Sequence, residues 1–376
     1  MKKIILTGGG TAGHINPALA VAGYFKEREP ETEILYVGNR GGMEEKLVPR
    51  AGYQMAFITI SGFQRSMSPK NIVKNLRTIE RIFTATMETK KIIKDFVPDV
   101  CVGTGGYVSG PVIREAAKLR VPCVIHESNA YPGVTTKLLS KQVHTVMLAV
   151  PDARKYFDES VRTVVTGNPV RGEVLKMSRE EARRELGLDE RPMVLSFGGS
   201  LGAAMLNRAA AYMLAESART GRYQHIHGYG QNDPLFLEEL TEYGLDLSKN
   251  PQIRVLDYIH NMPTCLAAAD LVISRAGAMT LSEIEAKGKA SILIPSPNVA
   301  ENHQFHNAMA LVKRGAGEII EEKDLSGEAL WRKAEKILSD PERLQSLGEN
   351  ARKLDILDAN KRIYNVIKEA YKSKGR

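Results

Sequence analysis

Short aliphatic runs alternate with helically spaced segments from one end of this chain to the other, and that alternation leaves few folds open. The first series of runs is Lys3–Thr7, Glu33–Val37, Met55–Ile60, Val100–Gly103, Cys123–Ile125, Thr145–Val150 and Thr163–Val165. The second is Met193–Phe197, His225–His227, Arg254–Leu256, Leu271–Ser274, Ser291–Ile294 and Glu318–Ile320. Runs this short and continuously apolar read as strands buried on both faces, the condition of a parallel sheet. Helical spacing marks the segments between them, such as Pro17–Arg28, Ser109–Leu119, Ala203–Ala218, Thr280–Lys287 and His303–Lys313, so the repeating unit is β-α-β. Both series open alike: Lys3–Thr7 runs into Gly8-Gly9-Gly10-Thr11-Ala12-Gly13, and Met193–Phe197 into Gly198-Gly199-Ser200-Leu201-Gly202. A first strand followed by a glycine-rich turn into a helix begins a doubly wound domain. The expected fold is therefore α/β: two Rossmann-like, doubly wound parallel-sheet domains facing across a cleft, divided at 168/169 near Gly167-Asn168-Pro169-Val170-Arg171.

A length of 376 residues suits two domains of this kind. With 43% hydrophobic and 26% charged residues, disorder and coiled coil are poor readings. No apolar run approaches the roughly 18 residues of a membrane span. Ile4-Ile5-Leu6 after Met1-Lys2-Lys3 is too short for the core of a signal peptide. Cys101, Cys123 and Cys265 are odd in number and lack Cys-x-x-Cys spacing, which points to a reduced, cytoplasmic setting. The net charge of +8 fits nucleic acid, an anionic membrane surface or anionic small substrates, and composition does not choose among them.

The spacing Gly8-x-Gly10-x-x-Gly13 matches the dinucleotide fingerprint, where glycine lets N–H groups and a helix N-terminus approach an anion. The second run ends Tyr36-Val37-Gly38-Asn39-Arg40 without a carboxylate for a ribose, although Arg40 suits a 2′-phosphate, so an NADP-dependent reductase stays open. His14 falls in the first turn of the following helix, where the positive helix end favours neutral imidazole; it reads as a general base, a turn cap or a substrate contact. Gly103-Thr104-Gly105-Gly106-Tyr107-Val108-Ser109-Gly110-Pro111 is a second such loop, either anion-receptive or simply tight. His126-Glu127-Ser128-Asn129 ends the next run, at the edge where α/β ligands bind.

In the second half, Ser274-Arg275-Ala276-Gly277-Ala278-Met279-Thr280-Leu281-Ser282-Glu283 joins strand to helix through small residues fit to hold a diphosphate. Glu283 suits ribose hydroxyls or is an ordinary first-turn carboxylate. His225-x-His227 and His303-x-x-His306 have no carboxylate or thiolate at ligand spacing, so no metal is expected; they read as structural or substrate-facing. Basic residues crowd Arg65 to Lys94, and Ile72, Leu76, Ile79 and Phe83 form an apolar helical stripe among them. That pattern describes either a membrane-surface helix or a core-facing stripe with a solvated basic face.

Taken together, several segments resemble the MurG family. They are Gly9–His14 with Pro17, Gly105–Pro111, His126–Asn129, Thr166–Arg171, Gly198–Ala203, Arg275–Glu283 and Asn302-His303-Gln304, in family order over most of the chain. The resemblance implies a GT-B fold whose last helix, about 353–376, returns to the first domain, leaving 169–352 as the UDP-sugar domain. It implies an inverting β1→4 transfer of N-acetylglucosamine from UDP-N-acetylglucosamine to the 4-hydroxyl of undecaprenyl-pyrophosphoryl N-acetylmuramoyl-pentapeptide (lipid I). The product is lipid II, for peptidoglycan, cell shape and division, with no cofactor, no metal and no nucleic acid. His14 would be the catalytic base. Thr11, Ala12, Gly13, Asn129, Arg171, Ser200, Ile259, Ala278, Met279, Thr280, Leu281, Ser282, Glu283 and Gln304 would hold the donor. Gly105, Gly106, Tyr107, His126 and Glu127 would lie on the acceptor side. Ala12 and Ser128 stand where the family commonly has glycine and glutamine. Because the family's acceptor is lipid-anchored, the resemblance favours the membrane reading of Lys70, Lys74, Arg77 and Arg81, on the cytoplasmic face. The other readings are the NADP-dependent reductase and a nucleotide-sugar binding protein without turnover.

Overall fold

Aliphatic runs with no polar face can bury both sides only in a sheet covered by helices on each side. The computed structural model describes residues 1–61, 69–170, 172–199 and 201–373, and for 69–80 the backbone alone. It contains two such sheets. In the first, β1 (Lys3–Thr7), β2 (Glu33–Asn39), β3 (Gln54–Ile58), β4 (Val100–Gly103), β5 (Cys123–Glu127), β6 (Thr145–Leu148) and β7 (Thr163–Val165) lie in the order β3-β2-β1-β4-β5-β6-β7. In the second, β8 (Met193–Phe197), β9 (Gln224–Gly228), β10 (Ile253–Leu256), β11 (Leu271–Ser274), β12 (Ala290–Leu293) and β13 (Glu318–Ile319) lie in the order β10-β9-β8-β11-β12-β13. Every pairing is parallel; Thr7 sits opposite Val37 and Gly103, and Phe197 opposite Gly228 and Ser274. Each sheet reverses its winding direction beside its first strand, between β1 and β4 and between β8 and β11. The crevice at the carboxyl ends of such strands is where doubly wound sheets take ligands.

Met1–Pro169 with Asp358–Arg376 forms one compact unit, and Val170–Leu357 the other. The return to the first unit falls at 357/358 rather than near 353, because helix Pro341–Leu354 packs against β12 and helix Ala278–Lys287 of the second. Helix Ala359–Ser373 is held to the first unit by its apolar face: Ile363, Val366, Ile367 and Ala370 are buried in the cluster formed by β1, β4 and helix Ala12–Arg28. Full burial of such an aliphatic side chain is worth about 1.5–3 kcal/mol. Polar contacts fix its register: Lys368 meets Glu29 at 2.6 Å, and Arg162 meets Glu369 at 2.8 Å.

The helices expected from Pro17 and Ser109 begin earlier, at Ala12 and Gly106. Ala12–Arg28 and Gly106–Lys118 contain Pro17 and Pro111, each the sixth residue of its helix. A proline there forfeits one N–H bond, to Gly13 or Tyr107, and the remaining bonds carry the helix through. Among the described residues no helix is long and apolar enough to cross a membrane.

Candidate active site

In the first unit, the site residues gather where the loops after β1 and β4 meet. Thr11 ends the glycine loop and its carbonyl accepts the N–H of His14, 3.1 Å away, so the imidazole belongs to the first helical turn. Thr104, at the end of β4, binds the same residue twice. Its hydroxyl donates to the His14 carbonyl at 2.6 Å, and its own carbonyl lies 3.1 Å from His14 Nδ1. A carbonyl only accepts, so Nδ1 carries the proton and Nε2 is the basic nitrogen of the ring. Gly105, at φ 100°, leaves the space for that ring: a Cβ there would stand 2.7 Å from His14 Nδ1. A Cβ on Gly106 would stand 2.2 Å from the Gly9 carbonyl. The close approaches that make glycine necessary at 105 and 106 are therefore to the chain's own atoms.

The glycine fingerprint is likewise closed from within. Gly10 N–H is directed at Glu44 Oε2, 3.4 Å away, and the Gly8 carbonyl accepts the Tyr36 hydroxyl at 2.6 Å. The Tyr107 ring lies over Gly10; burial, then the Glu44 charge, raises its phenol above the ordinary value. Thr11 and Gly13 are exposed at the mouth of this loop and Ala12 is half-buried. Arg40, considered for a 2′-phosphate, stacks instead on the Phe57 ring at 5.4 Å.

After β5, the chain turns inward. His126 is fully buried, its Nε2 3.0 Å from the Gly167 carbonyl, and burial lowers its pKa below the usual imidazole value. Glu127 is buried too. It accepts the backbone and side-chain N–H groups of Asn129 at 3.1 Å each and the N–H of Gly133 at 3.0 Å. Both side chains thus shape the turn that presents half-buried Asn129, rather than reaching outward themselves.

The second unit holds a cavity of about 520 Å³ at the carboxyl ends of β8, β11 and β12. Its wall includes Phe197, Gly198, Gly199, Arg275, Gly277, Thr280, Ser296, Gln304 and Glu322. Of the expected donor contacts, Thr280 and Gln304 line it directly. Helix Ala278–Lys287 opens there: its first i→i−4 bond runs from Leu281 N–H to the Gly277 carbonyl, 3.0 Å, so the N–H groups of the preceding turn point out of the helix end. Ala278, Met279 and Glu283 are half-buried on that helix, whereas Leu281 and Ser282 turn into the protein. Ser296 N–H donates to Gln304 Oε1 at 2.9 Å, which makes the Gln304 side chain a donor toward the cavity. Arg275 is held by the carbonyls of Ile294 and Pro295, at 3.2 and 3.3 Å, and by the Glu322 carboxylate. Ile259 lies apart from this wall, buried against Gly228 at the end of β9. Arg171 and Ser200 lie outside the described residues, as do the side chains of Lys70, Lys74 and Arg77; Arg81 is exposed.

His225 and His227 are structural. Both are buried, and each ring has a nitrogen 2.7 Å from the Ser196 hydroxyl; burial holds the His227 pKa down at about 3. Among the described residues no three His, Cys, Asp or Glu side chains are grouped to hold a metal ion. The three cysteines are buried. Sequence reasoning passed over Tyr36, Glu44 and Glu322. Each acts on a loop distant along the chain, so no local spacing announces it.

Comparison with known proteins agrees with this architecture. Residues 4–148 match the glycosyltransferase family 28 N-terminal domain and residues 193–363 its C-terminal domain. The chain is 44% identical over 375 residues to a UDP-N-acetylglucosamine–N-acetylmuramyl-(pentapeptide) pyrophosphoryl-undecaprenol N-acetylglucosamine transferase of Acetivibrio thermocellus, covering 99% of each. It is 42% identical over 367 residues to a protein of the same name from Thermoanaerobacter, covering 97% of this chain and 99% of that one. The crystal structure of Acinetobacter baumannii MurG superposes with a TM-score of 0.77 at 28% identity, covering 98% of this chain and 100% of that one. The chain belongs to glycosyltransferase family 28 and, within it, to the MurG N-acetylglucosaminyltransferases.

Proposed function

We infer that this chain carries out the transfer its relatives are named for, and we assign the steps to its residues. It is a UDP-N-acetylglucosamine-dependent transferase that converts lipid-linked N-acetylmuramoyl-pentapeptide to its N-acetylglucosaminyl product for peptidoglycan synthesis. The observation that carries the assignment is the glycine-walled cavity of the second unit, with a helix N-terminus at its edge and Gln304 fixed as a donor. Those features suit a UDP-sugar. The outward N–H groups of residues 278–280 would meet the diphosphate, Glu283 the ribose hydroxyls and Gln304 the sugar.

In the reaction, the acceptor's 4-hydroxyl oxygen forms a bond to C1 of the sugar while the bond from C1 to the diphosphate oxygen breaks. The proton passes to His14 Nε2, and UDP leaves with the electron pair. Inversion at C1 gives the β linkage. Negative charge grows on the departing diphosphate, where oriented N–H groups stabilise it without reorganising. The bond from His14 Nδ1 to the Thr104 carbonyl supports the base role, since it fixes the tautomer that can accept a proton.

Binding at the cytoplasmic membrane face is part of the same reading. Helices Pro69–Phe96 and Val134–Leu139 both pack on helix Gly106–Lys118. They leave Phe83 and Met87, and Val134 and Leu138, largely exposed, and Arg81, Lys90 and Lys141 on the same segments are exposed as well.

Incubation with UDP-N-acetylglucosamine and a soluble lipid I analogue should release UDP in step with disaccharide formation. Absence of turnover across a range of detergents would refute the function. A thermal shift with UDP and UDP-N-acetylglucosamine, and none with NADPH, sets aside the reductase reading.

A further inference from the structure

Glu44 is a carboxylate with no exposure to solvent, at the start of helix Glu44–Arg50 and 30 residues along the chain from His14. Its surroundings are built for it. A Cβ on Gly9 would stand 2.5 Å from Oε1, one on Gly42 2.7 Å from the same oxygen, and one on Gly38 2.7 Å from Glu44 Cγ. Three glycines therefore vacate the volume that the side chain fills. Oε1 accepts the N–H of Asn39 at 2.9 Å, and Oε2 faces the N–H of Gly10 at 3.4 Å. Asn39 in turn accepts the N–H of Ile60 at 3.0 Å through its side-chain oxygen and shares a hydrogen bond with Tyr107, whose ring edge lies against Gly10.

We propose that Glu44 is a positioning residue for the transfer: an internal carboxyl side chain that occupies the glycine loop of the first unit and sets the place of His14. The linkage is short. Glu44 holds Gly10, the next residue is Thr11, and the Thr11 carbonyl takes the N–H of His14. Tyr36 pins the other end of the loop through the Gly8 carbonyl, and Thr104 pins the imidazole itself. With the carboxylate in place, the Gly10 N–H serves the protein and not a phosphate group. The loop is a rigid mount for a base.

The inference rests on the base role assigned to His14, and a double-mutant cycle separates the two. Glu44→Gln keeps the shape but replaces one accepting oxygen with an NH₂ facing the N–H groups of Gly10 or Asn39. Gly9→Ala disturbs the same contact from the other side and leaves the carboxyl group in place. Displacement of a catalytic group by about 1 Å costs on the order of a hundredfold in rate. Each variant should therefore lose kcat by roughly that factor with UDP affinity unchanged, because UDP is held by the second unit. In a His14→Ala background the further loss should be under about threefold, since a misplaced base that is absent costs nothing. Losses that multiply, near-normal kcat in both variants, or failure of both to melt cooperatively would overturn the role of Glu44. Near-normal turnover of His14→Ala alone would overturn the base role, and this inference with it.

Discussion

The base role proposed for His14 rests on two neighbours of its ring. The Thr104 carbonyl fixes the proton on Nδ1, and the adjacent Gly105 leaves the ring its space. Loss of a general base costs about 10²–10⁴ in rate, so His14→Ala should lower kcat in that range with UDP affinity intact. Stopped assays of UDP release, read against calorimetric UDP binding, check it. Glu283 makes the complementary prediction. A charge-assisted hydrogen bond at a largely desolvated site is worth roughly 1.5–3 kcal/mol, so Glu283→Ala should weaken UDP binding about ten- to a hundredfold. Unchanged affinity in the same calorimetry would leave Glu283 an ordinary first-turn carboxylate. His14 and Glu283 stood out as candidates in the sequence because each lies a few residues from a glycine turn that follows an unmistakable strand. Glu44 and Glu322 were not, because Gly10 and Arg275, the residues they hold, lie far along the chain. Only the fold brings them together.

Among the elements, strands were more legible than helix starts, and the reason is burial. Residues such as Ile4, Ile5, Val102 and Ile273 are wholly enclosed on both faces of their sheets, so nothing but aliphatic residues fits there. Helix starts at Ala12, Gly106 and Ala278 carry no side-chain cap, and glycines there resemble loop rather than helix. Helix Ala278–Lys287 also carries a pH-dependent strain. Burial, reinforced by nearby Asp355 and eased by Arg314, raises the Glu285 pKa from an ordinary 4.5 to about 8. The fold therefore favours the protonated acid. Stability is greatest below the ordinary value and is lost as pH rises from about 4.5 through 8. Glu285→Gln imitates the protonated form. It should be near neutral at pH 5 and stabilising at pH 8 by roughly 1–2 kcal/mol, or about 2–6 °C in Tm. Thermal melts at the two pH values check the sign; equal shifts at both would show that the carboxyl ionises freely.

For the whole molecule, the proposed membrane contact on the first unit makes a prediction in which positive charge and exposed apolar side chains act separately. The sequence offered two readings of the stripe Ile72, Leu76, Ile79 and Phe83, core-facing or membrane-facing; the side chains of the first three lie outside the described residues, and Phe83 is 70% exposed with Met87 at 74%. Among the described side chains of this helix, Ala85, Thr89 and Ile93 are buried. In the membrane reading, these apolar side chains on a basic helix would enter the surface, where charge and insertion act together. Near an anionic leaflet each lysine or arginine contributes about 1 kcal/mol, and this attraction fades with salt as the screening length contracts below about 8 Å. Insertion of Phe83 and Met87 does not depend on salt in that way. Replacing Lys70, Lys74, Arg77 and Arg81 with glutamine should therefore weaken binding to anionic vesicles at least tenfold at low salt and much less at high salt. Replacing Phe83 and Met87 with glutamine should weaken it by a similar factor at both. Co-sedimentation with anionic and neutral vesicles at two salt concentrations reads all four cases. If both variants sediment like the parent, or if lipid charge makes no difference, the protein meets its lipid acceptor through another surface.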